Sequence, residues 1–173
     1  VSQNQVKVDG KILDTKNIVI STGSTPKIIP GYDKAIPAEE LLSLPEVGKR
    51  FLIVGAGYIG LEFACLLRAF GKEVVVIEQQ PRIINGFSQG LANRLKILLE
   101  QKGIKILTLT NFDDFDKSGF DHILLALGRS PNTSGLGLEG CGVVCSQQGW
   151  IQTDESLRTS CLNVYAFGDV NGK

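Results

Sequence analysis

The segment from Phe51 to Glu78 constrains the fold of this chain more than any other. It opens with the apolar run FLIV, which is followed at once by Gly55, Gly57 and Gly60 in the spacing GxGxxG. Between a strand and a helix, the first glycine of this pattern permits a tight turn, the second lets the backbone approach a pyrophosphate, and the third lets the helix pack closely on the strand. The segment therefore predicts a strand-turn-helix-strand unit that binds the ADP half of a nicotinamide dinucleotide.

Glu78 ends the second apolar run of this segment and adds a cofactor preference. It lies 18 positions after Gly60, within the range expected for the acidic residue that accepts hydrogen bonds from the ribose hydroxyls. A carboxylate there repels a 2′-phosphate, and no arginine follows until Arg82. The local charge therefore favours NAD over NADP.

Apolar runs of strand length alternate with helical patterns between residues 50 and 128. The predicted strands cover residues 50–55, 73–78, 104–109 and 121–128, and the predicted helices cover 58–70 and 88–102. The first helix has Ile59, Phe63, Leu66, Leu67 and Phe70 at helical spacing, and the second has Leu91, Leu95, Leu98 and Leu99 on one face. This alternation is typical of an α/β fold with a Rossmann-like parallel sheet flanked by helices.

Shorter strand patterns lie on both sides of this core. Residues 6–12 predict a β-hairpin with an Asp9-Gly10 turn, and residues 17–21, 150–153 and 163–167 predict single strands. Residues 22–37 hold two glycines and three prolines, so we expect an extended connection and a domain boundary there.

Composition argues against several other classes of protein. The 18 basic and 18 acidic side chains cancel, so there is no basic excess for nucleic acid. No apolar run approaches the roughly 20 residues of a membrane span, and no signal-peptide pattern opens the chain, so the expected location is the cytoplasm.

The four cysteines are too few for a disulfide framework, and the CxxxC of Cys141 and Cys145 favours packing over a redox or metal site. The chain begins at Val1 and has no methionine, which suggests an internal or processed piece.

Three motifs together resemble a known family. STGSTPKIIPG resembles the segment where the chain leaves an FAD domain, GAGYIGLEFA resembles the NAD motif, and ALGRSPNT followed by LRTSCLNVYAFGDV resembles the return to the FAD domain. On these motifs the chain is identified as a member of the flavoprotein pyridine nucleotide-disulfide oxidoreductases, most similar to the dihydrolipoamide dehydrogenases. The resemblance implies an NAD-binding domain over residues 35–153 and parts of an incomplete FAD domain over 1–34 and 154–173.

The resemblance also implies roles at the flavin, although FAD itself belongs to the complete protein. Asp169, in a turn with Gly168, would hydrogen-bond the ribityl chain, and Thr22 and Gly23 would line the flavin nucleotide. Gly128 would contact the nicotinamide dinucleotide through its backbone.

Tyr58, Ile59 and Glu62 belong to the start of the predicted helix. The N–H of Ile59 is part of the helix N-terminus that faces the phosphates, while from the sequence alone Tyr58 is a packing or gating aromatic and Glu62 a solvated helix residue. The resemblance implies that Tyr58 covers the flavin until the cofactor enters, and that Glu62 contacts the carboxamide end of the nicotinamide.

The chain also departs from the family pattern. It has no CxxxxC pair, and His122, its single histidine, has Leu127 where the glutamate of the family's catalytic pair would fall, so no catalytic residue is assigned. Only about a dozen residues separate Leu109 from His122, where the family inserts a three-stranded meander. Either that meander is trimmed or residues are missing, and the role of the acidic stretch at 110–120 stays open.

The function implied by the resemblance is that of an oxidoreductase passing electrons from dihydrolipoamide through a disulfide and flavin to NAD. This chain alone is expected to be inactive. The expected partner is a dinucleotide, with a homodimer and a 2-oxoacid dehydrogenase complex implied for the complete protein and no nucleic-acid or membrane partner. The alternatives are an NADH oxidase, coenzyme A-disulfide reductase or mercuric reductase relative, and a non-catalytic dinucleotide-binding module.

Overall fold

The chain divides into a sheet unit, Pro26–Gly128, and a flanking unit made of the residues up to Thr25 together with Arg129–Lys173. The computed structural model describes residues 4–30 and 35–173. The strands are β1 Gln5–Val8, β2 Lys11–Asp14, β3 Ile18–Ile20, β4 Ser24–Pro26, β5 Ala35–Pro37, β6 Arg50–Val54, β7 Glu73–Ile77, β8 Lys105–Leu107, β9 His122–Leu125, β10 Arg129–Pro131 and β11 Val164–Ala166. The helices are α1 Tyr58–Ala69 and α2 Gln89–Gln101, with short 3-10 turns at Ala38–Ser43, Glu139–Cys141 and Asp169–Asn171.

The sheet unit is built on five parallel strands in the order β5-β9-β6-β7-β8. Val54 lies beside Ile77 on one side and Leu125 on the other, and Ile77 lies beside Leu107. The carboxyl ends of the four strands β9, β6, β7 and β8 therefore meet at one edge of the sheet. The predicted α/β fold with a parallel sheet and packed helices is confirmed.

Both faces of the sheet are covered, which explains why its strands are apolar throughout rather than alternating. Phe51 and Ile53 face a core that contains residues of both helices, whereas Leu52 and Val54 face a second cluster. Among the residues that the structure describes, no helix packs against this second face. Instead the loop between β8 and β9 packs Phe112, Phe115 and Phe120 against it.

The helices occur where the sequence predicts them, but their buried faces are narrower. In α1 the buried side chains include Leu61, Ala64 and Leu67, whereas Phe70, directly after the helix, is 72% exposed. In α2 the buried positions are Ala92 and Leu99, whereas Leu91 is 50% exposed. Leu66 and Leu98 are also exposed. A surface helix on a sheet buries only the stripe that contacts the strands, so apolar spacing alone overestimated both buried faces.

The flanking unit combines three two-stranded pairs with a small core. The β1-β2 hairpin turns at Asp9 and Gly10, whose φ angles are 48° and 80°, so the predicted hairpin is confirmed. β3 pairs in parallel with β11, and β4 pairs with β10. The core includes Ile20, Ile151, Val164 and Ala166.

Two details of the flanks differ from the prediction. Residues 150–153 contribute only an isolated bridge between Ile151 and Cys145 instead of a strand. The predicted connection over 22–37 contains the strands β4 and β5, and its residues 31–34 lie outside the described residues. The compact units divide after Thr25 and after Gly128, and residues 138–151 contribute to the core around Val164. The boundaries of the NAD-binding domain at residues 35 and 153 stay a prediction.

Candidate dinucleotide-binding site

A groove of about 710 Å³ lies at the carboxyl edge of the sheet, inside the sheet unit. It is lined by the glycine turn after β6, the end of β7, the segment after β8 and the residues after β9. Ligands of open α/β sheets bind outside the carboxyl ends of the strands. The groove brings together the predicted residues Gly55, Gly57, Glu78 and Gly128.

Gly55 and Gly60 are required by the fold itself. Gly55 has a φ of 107°, and a Cβ atom there would lie 2.5 Å from the carbonyl oxygen of Ala126. A Cβ at Gly60 would lie 2.1 Å from the carbonyl oxygen of Gly55. The first glycine therefore makes the turn and the third allows α1 to approach β6, in the roles that the motif predicts.

Gly57 is not required by the fold. Its φ of −75° and ψ of 179° suit any residue, and a Cβ there would meet no heavy atom within 4 Å. As the N-cap of α1 it also lacks a side chain that could accept from the first-turn N–H groups. The N–H groups that follow, those of Tyr58 and Ile59, belong to the helix end that favours an anion. The open space at Gly57 thus fits a pyrophosphate.

Glu78 is held in place by the backbone on both of its oxygens. Oε2 accepts from the N–H of Ala56 at 2.8 Å, and Oε1 accepts from the N–H of Gln80 at 2.9 Å. These bonds fix the carboxylate beside the glycine turn. Because each carboxylate oxygen can accept more than one hydrogen bond, Glu78 can still accept from ribose hydroxyls.

The segment 111–114 lines the groove and was not assigned to it from the sequence. Its wall includes Asn111, Asp113 and Asp114. Just before this segment, the N–H of Thr110 donates to the carbonyl oxygen of Glu78 at 3.0 Å. The position of the segment in the sequence could have indicated this. It follows β8, a parallel strand adjacent to β7, and neighbouring parallel strands end at the same edge of the sheet.

Gly128, Tyr58 and Glu62 have different positions relative to the groove. Gly128 lines it and has a φ of 87°. Tyr58 is 68% exposed at the start of α1, and Glu62 is exposed one turn later. Neither side chain lines the groove. Their role at the nicotinamide therefore stays a prediction.

In the flanking unit, Asp169 takes part in a polar cluster. Its Oδ2 accepts from the hydroxyl of Ser24 at 2.8 Å and lies 3.6 Å from Nε of Arg129. Arg129 also donates to the Ser24 hydroxyl at 2.6 Å and to the Ser24 carbonyl at 2.7 Å. Ser24 and Arg129 were not predicted as site residues, although both stand inside the quoted motifs.

The backbone around this cluster depends on glycines and on Asn132. Gly168 has a φ of 78° and a ψ of −161°, a conformation almost confined to glycine. Gly23 has a φ of 72° and accepts from the N–H of Asn132 at 3.0 Å. The Thr22 hydroxyl donates to the Asn132 carbonyl at 2.7 Å. Thr22, Gly23, Gly168 and Asp169 thus belong to one unit, and their contact with a flavin stays a prediction.

Histidine and cysteine side chains occupy packing positions. His122 opens β9 and stacks on Phe51 with ring centroids 5.3 Å apart. All four cysteines are free thiols, and burial raises the pKa of Cys145, with a smaller contribution from Glu139. Within residues 4–30 and 35–173, no group of three His, Cys, Asp or Glu side chains could hold a metal ion. In those same ranges no helix has the length and apolar character to cross a membrane.

The fold and the groove define a Rossmann-like dinucleotide-binding unit. The family described as pyridine nucleotide-disulphide oxidoreductase matches residues 1–173, the whole chain. The chain therefore belongs to this family, whose members are FAD- and NAD(P)-dependent oxidoreductases.

Two curated relatives carry different enzyme names. The dihydrolipoyl dehydrogenase of Chlamydia pneumoniae is 33% identical over 192 residues, covering all of this chain and 42% of the relative. The chloroplastic/mitochondrial glutathione reductase of Pisum sativum is 36% identical over 190 residues, covering all of this chain and 34% of the relative. The chain thus spans less than half the length of either relative. Because it has 173 residues, the 190-residue alignment contains at least 17 gap positions opposite it.

Solved structures with a similar fold include a flavoprotein disulfide reductase. The Cu(II) complex of the HOCl-induced flavoprotein disulfide reductase RclA from Escherichia coli superposes with a TM-score of 0.87 at 25% identity, covering 99% of this chain and 44% of that one. An engineered water-forming NADPH oxidase bound to NADPH superposes with a TM-score of 0.78 at 22% identity, covering 92% of this chain and 40% of that one. The second similarity concerns the fold alone.

Proposed function

We propose that this chain is the NAD-binding portion of a flavoprotein disulphide oxidoreductase of the dihydrolipoyl dehydrogenase type. In that reaction the dithiol of dihydrolipoamide is oxidised to a disulphide. Its two electrons pass through flavin to NAD⁺, which becomes NADH, and a proton is released. The similarity to the Chlamydia pneumoniae enzyme supports the substrate, and the groove beside Gly57 supports the dinucleotide.

The open backbone at Gly57, next to the fixed carboxylate of Glu78, is the observation that carries this proposal. The N–H groups at the start of α1 would face the pyrophosphate, and Glu78 would accept from the adenosine ribose. The bound nicotinamide would supply hydride transfer. A 2′-phosphate would place its charge beside Glu78, so NAD is the proposed cofactor in preference to NADP.

Isothermal titration of the protein with NADH and NADPH tests the cofactor. We expect NADH to bind at least about tenfold more tightly, which corresponds to about 1.4 kcal/mol. Absence of NADH binding, or tighter binding of NADPH, would contradict the proposal.

We also expect that the 173-residue chain alone will not oxidise dihydrolipoamide. Its sequence has no CxxxxC pair, and its single histidine stacks on Phe51 at the start of β9. The measurement is reduction of NAD⁺ by dihydrolipoamide with added FAD, and turnover by this chain would contradict the expectation.

Reduction of another disulphide is the second candidate function, favoured by the 36% identity to the pea glutathione reductase. Assays of the full-length gene product with dihydrolipoamide and with oxidised glutathione separate the two candidates. A non-catalytic dinucleotide-binding module is the alternative from another class, and flavin retained by the full-length product would contradict it. The polar cluster around Asp169 argues against that alternative, since a self-contained NAD module needs no flavin segment.

The cellular setting and assembly follow from the same proposal. Four free thiols suit a reducing compartment such as the cytoplasm. A homodimer and membership of a 2-oxoacid dehydrogenase complex are proposed for the full-length product on its similarity to dihydrolipoyl dehydrogenases. Size-exclusion chromatography with light scattering tests the dimer.

A further inference from the structure

The loop between β8 and β9 carries two adjacent carboxylates, Asp113 and Asp114, on the wall of the dinucleotide groove. Both side chains are exposed.

The backbone directs this loop toward the ribose end of the groove. β8 pairs with β7 up to Leu107 and Ile77. Beyond that pair, the N–H of Thr110 donates to the carbonyl oxygen of Glu78, and the N–H of Leu109 donates to that of Gln80 at 3.2 Å. The residues after Thr110 therefore leave the sheet beside the residue that would accept from the adenosine ribose.

Two aromatic side chains hold the acidic pair between them. Phe112 and Phe115 pack against the apolar cluster on the second face of the sheet. Nζ of Lys117 donates to the carbonyl oxygens of both phenylalanines and lies 4.5 Å from the centre of the Phe112 ring. Because Phe112 and Phe115 pack against the sheet on either side of them, Asp113 and Asp114 remain at the groove.

The charged side chains that line the groove are therefore all negative. Glu78, Asp113 and Asp114 line it, and no lysine or arginine is among the described residues of its wall. A 2′-phosphate adds about two negative charges at neutral pH, whereas a free 2′-hydroxyl adds none. Repulsion from three carboxylates therefore acts on NADP and spares NAD at that position.

We propose that Asp113 and Asp114 are specificity-determining residues that act with Glu78 to exclude the 2′-phosphate of NADP. The proposal rests on the proposed function, because it requires the dinucleotide to occupy this groove. It assigns a role to the acidic stretch that the glycine motif and Glu78 leave unexplained.

The test compares NADH and NADPH affinities of the wild-type protein with those of the double variant Asp113→Asn/Asp114→Asn, by isothermal titration. We expect NADPH affinity to rise about tenfold more than NADH affinity, because the variant removes two charges and nearly preserves shape. Asp116→Asn is the matched control: Asp116 belongs to the same loop but does not line the groove, and asparagine can still accept from Ser118. Its selectivity ratio should change less than about twofold.

Salt dependence gives a second test of the proposal. Repulsion between exposed charges is screened, with a Debye length of about 8 Å at physiological ionic strength and about 3 Å at 1 M. The preference of the wild-type protein for NADH should therefore decrease as salt rises, and the double variant, which keeps Glu78, should show a weaker salt dependence than wild type.

The possible outcomes distinguish failure of this inference from failure of the proposed function. If neither dinucleotide binds the wild-type protein, the proposed function and this inference both fail. If NADH binds but the double variant keeps the selectivity ratio and the salt dependence of the wild-type protein, only the inference fails.

Discussion

The three glycines of the motif do different work, and the distinction appears at the scale of single atoms. Gly55 and Gly60 are surrounded by backbone that a methyl group would enter, whereas nothing in the protein lies within 4 Å of a Cβ at Gly57. A glycine that the fold does not need is available to a ligand. The structure therefore supports assigning the pyrophosphate to Gly57 in particular.

This distinction predicts opposite phenotypes for two alanine substitutions. Gly57→Ala should change the free energy of unfolding by no more than about 0.5 kcal/mol, yet weaken NADH binding at least tenfold, because its methyl group would occupy the approach to the pyrophosphate. Gly60→Ala should lower the free energy of unfolding by about 1–3 kcal/mol or more, because its Cβ would enter the Gly55 carbonyl. Urea unfolding and NADH titration measure the two effects. Equal phenotypes for the two variants would contradict the assignment.

At the scale of elements, the loop between β8 and β9 covers a face of the sheet on which no described helix packs. It turns out of the sheet at Leu109, whose φ is 53°, covers the second face with aromatic side chains, and ends at Asp121. Oδ2 of Asp121 accepts from the N–H groups of Lys49 and Arg50 at 2.6 and 2.9 Å. The loop is thereby joined to the start of β6.

Asp121 should make stability depend on pH in acid. The hydrogen bonds from Arg50 and Lys49 hold the pKa of its carboxyl below the ordinary value of 3.8. A lowered folded-state pKa means that the contribution is complete above the ordinary value and is lost as pH falls through the folded-state value. Asp121→Asn should therefore be less stable than wild type near neutral pH, with the difference shrinking below about pH 3.8. Urea midpoints across that range measure it, and a difference independent of pH would contradict the prediction.

At the scale of the whole molecule, the chain has two units with separate cores. Both α-helices lie in the sheet unit, and the single tryptophan, Trp150, lies in the flanking unit. Far-ultraviolet circular dichroism therefore reports mainly on the unit with the groove, and tryptophan fluorescence reports on the other.

These two signals locate the bound cofactor. A ligand that binds only the native state stabilises it by about 2.7 kcal/mol at a hundred times its dissociation constant. Saturating NAD⁺ should raise the thermal midpoint seen by circular dichroism more than the midpoint seen by tryptophan fluorescence. A larger shift in the tryptophan signal would place the ligand in the flanking unit and contradict the groove.

The α/β class, the order of strands and helices from β6 to β9 along the chain, and the glycine turn with Glu78 could all be predicted from the sequence. They rest on local chemistry: a buried parallel strand is apolar throughout, and the turn between β6 and α1 requires Gly55 and Gly60. The family resemblance was equally accessible, because its motifs are contiguous. The hairpin at Asp9-Gly10 follows from the two residues that make its turn.

Only the tertiary structure decided what depends on distant neighbours. Which leucines of α1 and α2 are buried depends on where the sheet lies, so Leu66 and Leu91 are exposed despite their spacing. Residues 129–153 join the flanking unit because Ile151 packs in its core. The sequence left the role of the acidic stretch open, and Asp113 and Asp114 reach the groove because β8 ends beside β7 and Phe112 and Phe115 anchor the loop to the sheet. The sequence determined the glycine turn between β6 and α1, and the packing of the chain decided which charged side chains lie around it.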